Sequence, residues 1–279
     1  MLKTGKGEVT YHQNRIGRAG HALKDIFTAV ILSEIFNLKL VVDQSWNNPI
    51  LRHLPRYQSK ATRHINFNIS RQAWDGISKE EFGELAKVIR EQRASDMQLV
   101  LSGVCRIHLW QVHLWEQEGD LEAGTFVNCI RRLESFYWAN EVRPAIREMQ
   151  IAIHVRRGDV ASPGHREYFK MGPGLWSAEY YRGVVETLRN RYPGHEITLF
   201  SEVWQAEDLL SIPGVAIELG GAKQFSRHFR RMVTSAIFVP TSSSMSTWAS
   251  YLSLGKVLIP EHPIKHFNHP VPLENWDRV

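Results

Sequence analysis

Short apolar segments alternate with amphipathic helical segments throughout the second half of this 279-residue chain. The predicted strands lie at 151–155, 196–200, 215–218, 237–239 and 257–259. The predicted helices between them lie at 178–192, 205–210, 225–235 and 245–254. Parallel strands need a crossover on one face of the sheet, and helices of this length supply it. The second half is therefore predicted to form a doubly wound parallel sheet.

The first half shows a less regular version of the same pattern. A helix over 20–37 precedes a buried strand over 38–42, and an irregular polar stretch follows at 46–78. The remaining predicted elements are a strand at 98–101 and helices at 79–93, 107–117 and 125–147, with a kink at Pro144. We thus predict an α/β protein of two domains, 1–147 and 148–279, with the tail from 262 to 276 as a strap over the second.

The segment Ile151–Val160 carries the most informative chemistry, because an apolar strand leads directly into two arginines, a glycine and a carboxylate. Alternation along the strand places His154 and Arg156 on one face and Arg157 on the other. The carboxyl ends of parallel strands are where open α/β sheets bind ligands. Two adjacent guanidiniums therefore predict an anionic ligand. The alternative is that one arginine pairs with Asp159 and the other lies in water.

The set His154-Val-Arg-Arg-Gly-Asp159 resembles the nucleotide-sugar motif of the α1,2- and α1,6-fucosyltransferases and, more distantly, of the protein O-fucosyltransferases. Arg15–Ala22 is similar to the glycine-rich opening of that family. Thr241–Trp248 resembles its serine-rich segment, and Phe200–Glu202 its Phe-Ser-Asp/Glu strand end. The segments follow the family's order along the chain. The resemblance implies a GDP-fucose donor and two Rossmann-like domains facing across a cleft, the GT-B arrangement of glycosyltransferases.

The transfer that the resemblance implies explains why arginines would be needed. An acceptor hydroxyl attacks the anomeric carbon of fucose from the face opposite GDP, and negative charge accumulates on the departing diphosphate. The sequence contains no Asp-x-Asp metal motif, so fixed cations must stabilise that charge and neither a metal nor another cofactor is expected. We assign this role to Arg156, with Arg157 assisting. The resemblance carries nucleotide contact over to His154 and Arg156.

Two segments offer further donor-binding candidates, each with a structural alternative. Gly17, Arg18 and Gly20 precede a predicted helix. Their backbone N–H groups could bind the diphosphate, or they could form an ordinary helix entry. Ser243 and Ser244 also precede a helix, so their hydroxyls could bind phosphate or cap that helix.

Carboxylates complete the candidate site. Glu202 ends a predicted strand and could bind ribose hydroxyls or guanine N–H groups, or it could be a solvated loop acid. The α1,6 enzymes keep a glutamate shortly after the arginine motif, where this chain has Gly164. The nearest carboxylates are Asp159 and Glu167. Because an arginine could hold Asp159, we take Glu167 as the candidate general base. A base from the first half, or none beyond the diphosphate, remains an alternative.

The sequence predicts an inverting, metal-independent glycosyltransferase that moves fucose from GDP-fucose to a glycan hydroxyl. Its partners would be a nucleotide sugar and a glycan acceptor. Three departures from the family pattern keep alternatives open: His21 and Ala22 replace an amide pair, Gly164 replaces the glutamate, and Gly220-Gly221 stands near a position that often carries an acid. One alternative is a nucleotide- or polyanion-binding protein of this fold without transfer activity. Another is a transferase for a different nucleotide sugar.

Charge and cysteine content narrow the class of protein. A formal charge of +5 indicates a mild preference for anionic partners, which a nucleotide diphosphate satisfies, and no nucleic acid is expected. Cys105 and Cys129 lack metal-ligand spacing and are too few for a disulfide framework, which favours a reducing cytoplasm. No apolar run approaches the roughly 20 residues that span a bilayer.

Overall fold

A computed structural model describes residues 7–11, 19–41, 63–69, 76–92, 97–103, 107–139, 142–157, 176–203, 206–221, 224–241, 243–260 and 273–278. The chain divides into two compact units, Met1–Val142 and Arg143–Val279. The predicted division between 147 and 148 falls inside the first strand of the second unit, which spans Arg147–His154.

The first unit contains a parallel sheet with the strand order β2-β1-β4-β3. Its strands are β1 (Glu8–Tyr11), β2 (Lys39–Leu40), β3 (Arg63–Ile69) and β4 (Met97–Gly103). Its helices are α1 (Ala19–Ile35), α2 (Lys79–Gln92), α3 (Leu109–Gln117) and α4 (Thr125–Tyr137). Helix α1 forms much of the core, because its residues from Ile26 to Ser33 are all buried.

Two predictions for this unit are wrong. Strand β3 lies in the stretch expected to be irregular, although Ile65, Phe67 and Ile69 alternate with polar residues as a strand requires. Helix α4 ends at Tyr137 rather than continuing to 147. Pro144 disfavours helical backbone at Arg143 and so argues against the predicted continuation to 147, but it does not set the end of the helix at Tyr137.

The second unit contains a six-stranded parallel sheet with the order β10-β9-β8-β5-β6-β7. Its strands are β5 (Arg147–His154), β6 (Glu196–Glu202), β7 (Ala216–Gly220), β8 (Ser235–Val239), β9 (Lys256–Ile259) and β10 (Trp276–Arg278). Its helices are α5 (Ala178–Arg191), α6 (Phe225–Thr234) and α7 (Ser244–Leu252), with a short 3-10 helix at Glu207–Ser211. The predicted α/β fold with parallel sheets is confirmed.

The end of the chain differs from the predicted strap. Trp276 to Arg278 form the edge strand β10, which pairs in parallel with β9. The buried Trp276 ring packs on Tyr251, with 5.2 Å between the ring centroids, and this contact holds the edge strand against the unit. Residues 262–272 of the predicted strap lie outside the described residues.

The strand order of the second unit places a ligand-binding position at its centre. The chain enters at β5, continues to β6 and β7 on one side, and then crosses to β8, β9 and β10 on the other. Connections from β5 and β8 therefore leave in opposite directions. Open α/β sheets bind ligands at the carboxyl ends of the two strands where the order reverses. Here those strands are β5 and β8, whose apolar residues Ile151, Ile153 and Val239 are buried in the core.

Candidate active site

Two of the predicted site residues lie at the end of β5 or just after it, at this switch point. His154 is the last residue of the strand and is buried, and Arg156 follows two positions later and is half-buried. Arg157 is also buried, but it contacts a different part of the unit from His154. This divergence is what alternation along an extended segment requires.

His154 contacts the helix that follows β8. Its Nδ1 atom lies 2.5 Å from the hydroxyl of Ser246 and 3.4 Å from that of Ser243. Burial is the main cause that lowers the pKa of His154 to about 3, and the nearby charges of Arg156 and His228 lower it further. The imidazole is therefore neutral at pH 7.

Ser243 has the capping role that was one of the two predicted from the sequence, and its contact with a donor stays a prediction. Its hydroxyl accepts a hydrogen bond from the backbone N–H of Ser246 at 3.1 Å and so caps the N-terminus of α7. The capped terminus lies beside His154 at the switch point, where the helix dipole favours negative charge. Sequence reasoning did not single out Ser246, although it stands three residues after the cap, where a capping partner is expected. The side chain of Ser244 lies outside the described residues.

Arg157 is held by the protein itself. Its Nη2 donates to Asp208 Oδ2 at 2.8 Å, and its Nη1 donates to the carbonyls of Trp176 at 2.9 Å and Arg156 at 3.2 Å. Its Cζ lies 5.8 Å from the centroid of the Tyr181 ring. Asp208 is thus a carboxylate partner of Arg157, and the pairing with Asp159 weighed from the sequence lies outside the described residues. These contacts hold the backbone after β5, and the assisting role of Arg157 at the diphosphate stays a prediction.

We expect Asp208→Asn to lower the free energy of unfolding by about 2–3 kcal/mol, because it removes the carboxylate that pairs with the buried guanidinium. The loss is smaller than for a fully buried pair, since the Asp208 side chain is 47% exposed and water can replace part of the contact. Urea denaturation measures the change. Glu207→Gln, at the exposed neighbour in the same 3-10 helix, is the matched control. Equal unfolding free energies for both variants would contradict the structural role of Arg157.

Glu202 ends β6, the strand next to β5 of the switch point, and is half-buried. It pairs in register with Gly220 of β7. A Cβ atom at Gly220 would collide with the ring of His228 from α6, so this position excludes an acidic side chain unless the histidine moves. His228 is buried, with its ring centroid 5.2 Å from that of Phe200. The closeness of this ring accounts for glycine at 220, whereas a Cβ atom at Gly221 would meet nothing within 4 Å.

The other predicted site residues are placed as follows. Gly20 is the second residue of α1 in the first unit. Gly17, Arg18, Asp159 and Glu167 lie outside the described residues, so their roles stay predictions. Among the residues that the structure describes, no group of three or more histidine, cysteine, aspartate or glutamate side chains could hold a metal ion. No helix in the described ranges is both long and apolar enough to cross a membrane.

The fold is that of a doubly wound α/β protein. Cationic and hydroxyl-bearing side chains lie at the carboxyl ends of the switch-point strands. No protein-family model and no curated protein matches the sequence. Among solved structures, the chain is similar to E. coli heptosyltransferase WaaC with ADP, at 10% identity over 92% of this chain and 88% of that one, with a TM-score of 0.42. A likeness at this score does not indicate a function, so the proposed function rests on the residues of this chain.

Proposed function

We propose that this chain is an inverting, metal-independent glycosyltransferase that moves fucose from GDP-fucose to a glycan hydroxyl. The observation that carries the proposal is the position of His154 at the carboxyl end of β5, beside the N-terminus of α7, with the charge of Arg156 close to it. A neutral imidazole, a guanidinium and a helix N-terminus together suit the diphosphate of a nucleotide sugar. The resemblance of the 154–159 segment to the fucosyltransferase motif supports guanosine and fucose as the rest of the donor.

In the proposed reaction, a bond forms between the acceptor oxygen and the anomeric carbon of fucose. The bond from that carbon to the diphosphate breaks, and GDP departs with the electron pair. Arg156 and the N-terminus of α7 stabilise the charge that accumulates on GDP. Glu167 takes the proton of the acceptor hydroxyl. Because this stabilisation is strongest in the transition state, it raises the rate and not only the affinity.

The remaining residues are assigned supporting roles. Glu202 binds the ribose or guanine of the donor, because it lies at the carboxyl end of β6, the strand next to β5. Gly17, Arg18 and Gly20 contact the diphosphate of the donor.

GDP and GDP-fucose should bind with unchanged affinity when EDTA is present, because the proposed diphosphate site uses a guanidinium and a helix terminus instead of a cation. Calorimetric titration with and without EDTA measures this. UDP and ADP serve as controls for the base, and both should bind more weakly than GDP. Loss of GDP binding on chelation would contradict the metal-free mechanism. A preference for UDP or ADP would contradict the GDP-fucose assignment and favour a different nucleotide sugar.

One alternative function has a specific observation in its favour. Gly164 stands where the α1,6 enzymes keep a glutamate, which would suit a protein that binds the nucleotide without transferring the sugar. Protection against thermal unfolding tests binding alone, since a ligand at a hundred times its dissociation constant adds about 2.7 kcal/mol of stability. Protection by GDP-fucose with no transfer to any glycan or to water would select this alternative.

A further inference from the structure

The hydroxyl of Ser246 makes two hydrogen bonds inside the switch point of the second unit. Its Oγ accepts from the backbone N–H of Thr241 at 3.1 Å and lies 2.5 Å from Nδ1 of His154. Ser246 has no exposed surface. It therefore has no surface with which to touch a ligand, and its hydroxyl can act on the site only through the groups that it contacts, of which His154 is the side chain at the end of β5.

The hydrogen atoms of this cluster follow from its geometry. A serine hydroxyl has a single hydrogen, and because Ser246 Oγ already accepts from Thr241, its own hydrogen can be donated to Nδ1 of His154. Ser243 lies in a similar relation, since its hydroxyl accepts from the Ser246 N–H and lies 3.4 Å from the same nitrogen. Two hydroxyls directed at Nδ1 favour the ring form in which that nitrogen is an acceptor.

A neutral imidazole carries one N–H, so an accepting Nδ1 places the proton on Nε2. Burial and the charge of Arg156 disfavour the doubly protonated ring, in which both nitrogens donate. Within the described part of the chain, the hydrogen bonds of the ring are those of Nδ1. The Nε2–H is then the donor that remains for a ligand.

We propose that Ser246 is a positioning residue that fixes His154 in the tautomer protonated on Nε2. Strand β5 then ends in an uncharged N–H donor for an oxygen of an anionic ligand. The opposite tautomer would direct a lone pair of Nε2 toward that oxygen and repel it. The tautomer itself is independent of the proposed function, and only the identity of the ligand as a nucleotide diphosphate rests on it.

The tautomer can be measured directly by NMR on protein labelled with ¹⁵N in histidine. The chemical shifts of ring nitrogens distinguish protonated from unprotonated atoms, and the His154 signals are those lost in His154→Gln. In the unmodified protein we expect Nε2 protonated and Nδ1 unprotonated. This measurement needs no Ser246 variant, and a protonated Nδ1 would overturn the proposal.

Ser246→Ala removes the hydroxyl and should move the His154 signals toward a mixture of tautomers. GDP affinity should fall about tenfold, as expected when a hydrogen bond to a charged group is weakened. Ser250→Ala is the matched control, because Ser250 is equally buried in α7 but its hydroxyl donates to the Ser246 carbonyl. It should change neither quantity.

The outcomes separate this proposal from the proposed function. Unchanged His154 signals in Ser246→Ala would overturn the positioning role. Equal losses of GDP affinity in the Ser246 and Ser250 variants would also overturn it, because both would then report a general effect on α7. If the tautomer is as expected and no nucleotide binds, the positioning role stands and the proposed function fails.

Discussion

Arg156→Lys is expected to reduce the rate of fucose transfer by about a hundredfold while leaving the fold intact. Lysine keeps the positive charge but lacks the planar fork that holds two phosphate oxygens at once. If that grip tightens as the diphosphate departs, the loss appears mainly in the rate and less in GDP affinity. Steady-state kinetics and calorimetric titration with GDP measure the two effects separately.

The matched control for Arg156→Lys is Arg227→Lys. Arg227 is an arginine of the same unit whose side chain is 71% exposed on α6. Its replacement should leave the transfer rate unchanged. That result would show that the loss of rate in Arg156→Lys comes from the position of Arg156 and not from the loss of any arginine. Near-normal turnover by Arg156→Lys would contradict the diphosphate role. A thermal unfolding profile that matches the parent protein confirms that the variant has kept its fold.

Glu167→Gln is expected to reduce transfer by about a hundredfold to ten-thousandfold with little change in GDP-fucose affinity. The amide has nearly the shape of the carboxylate but cannot take the acceptor's proton. The donor site should be unaffected because the proposed base faces the acceptor. Transfer is measured with oligosaccharides that end in galactose, N-acetylglucosamine or mannose, and affinity is measured by titration with the donor.

Asp159→Asn provides the comparison that identifies the base, since Asp159 is the other nearby carboxylate. Glu186→Gln, at an exposed position on α5, is the control for a general change in charge. If Asp159→Asn loses transfer and Glu167→Gln keeps it, the base is Asp159. Normal transfer by both variants would point to a base from the first unit or to the diphosphate itself.

The secondary structure of the second unit could be predicted from the sequence because its strands are short apolar runs between amphipathic helices. Strand β3 shows how such a prediction fails. Its alternation was present, but polar residues at every second position made the segment resemble a loop. The prediction for helix α4 was wrong for the opposite reason, because the apolar pattern continued beyond Tyr137, where the helix ends.

The candidate site was predictable only where it depends on local backbone geometry. Alternation in β5 was enough to direct His154 and Arg157 to different neighbours. It could not identify Asp208, which lies 51 residues from Arg157 along the chain and meets it only through packing of the 3-10 helix. Likewise, Ser246 lies 92 residues from His154. Nothing in the local pattern of either residue indicates such a partner.

The sequence by itself determined the class of fold and the strand that carries the cationic motif, because hydrophobic periodicity and strand alternation are local properties. Only the tertiary structure decided that β5 and β8 are neighbours. That adjacency depends on which face and direction each crossover takes. It brings His154 to the N-terminus of α7, and packing on the other side buries Arg157 against Asp208. Neighbouring arginines in the chain thus occupy different environments, because burial and pairing depend on contacts between distant segments.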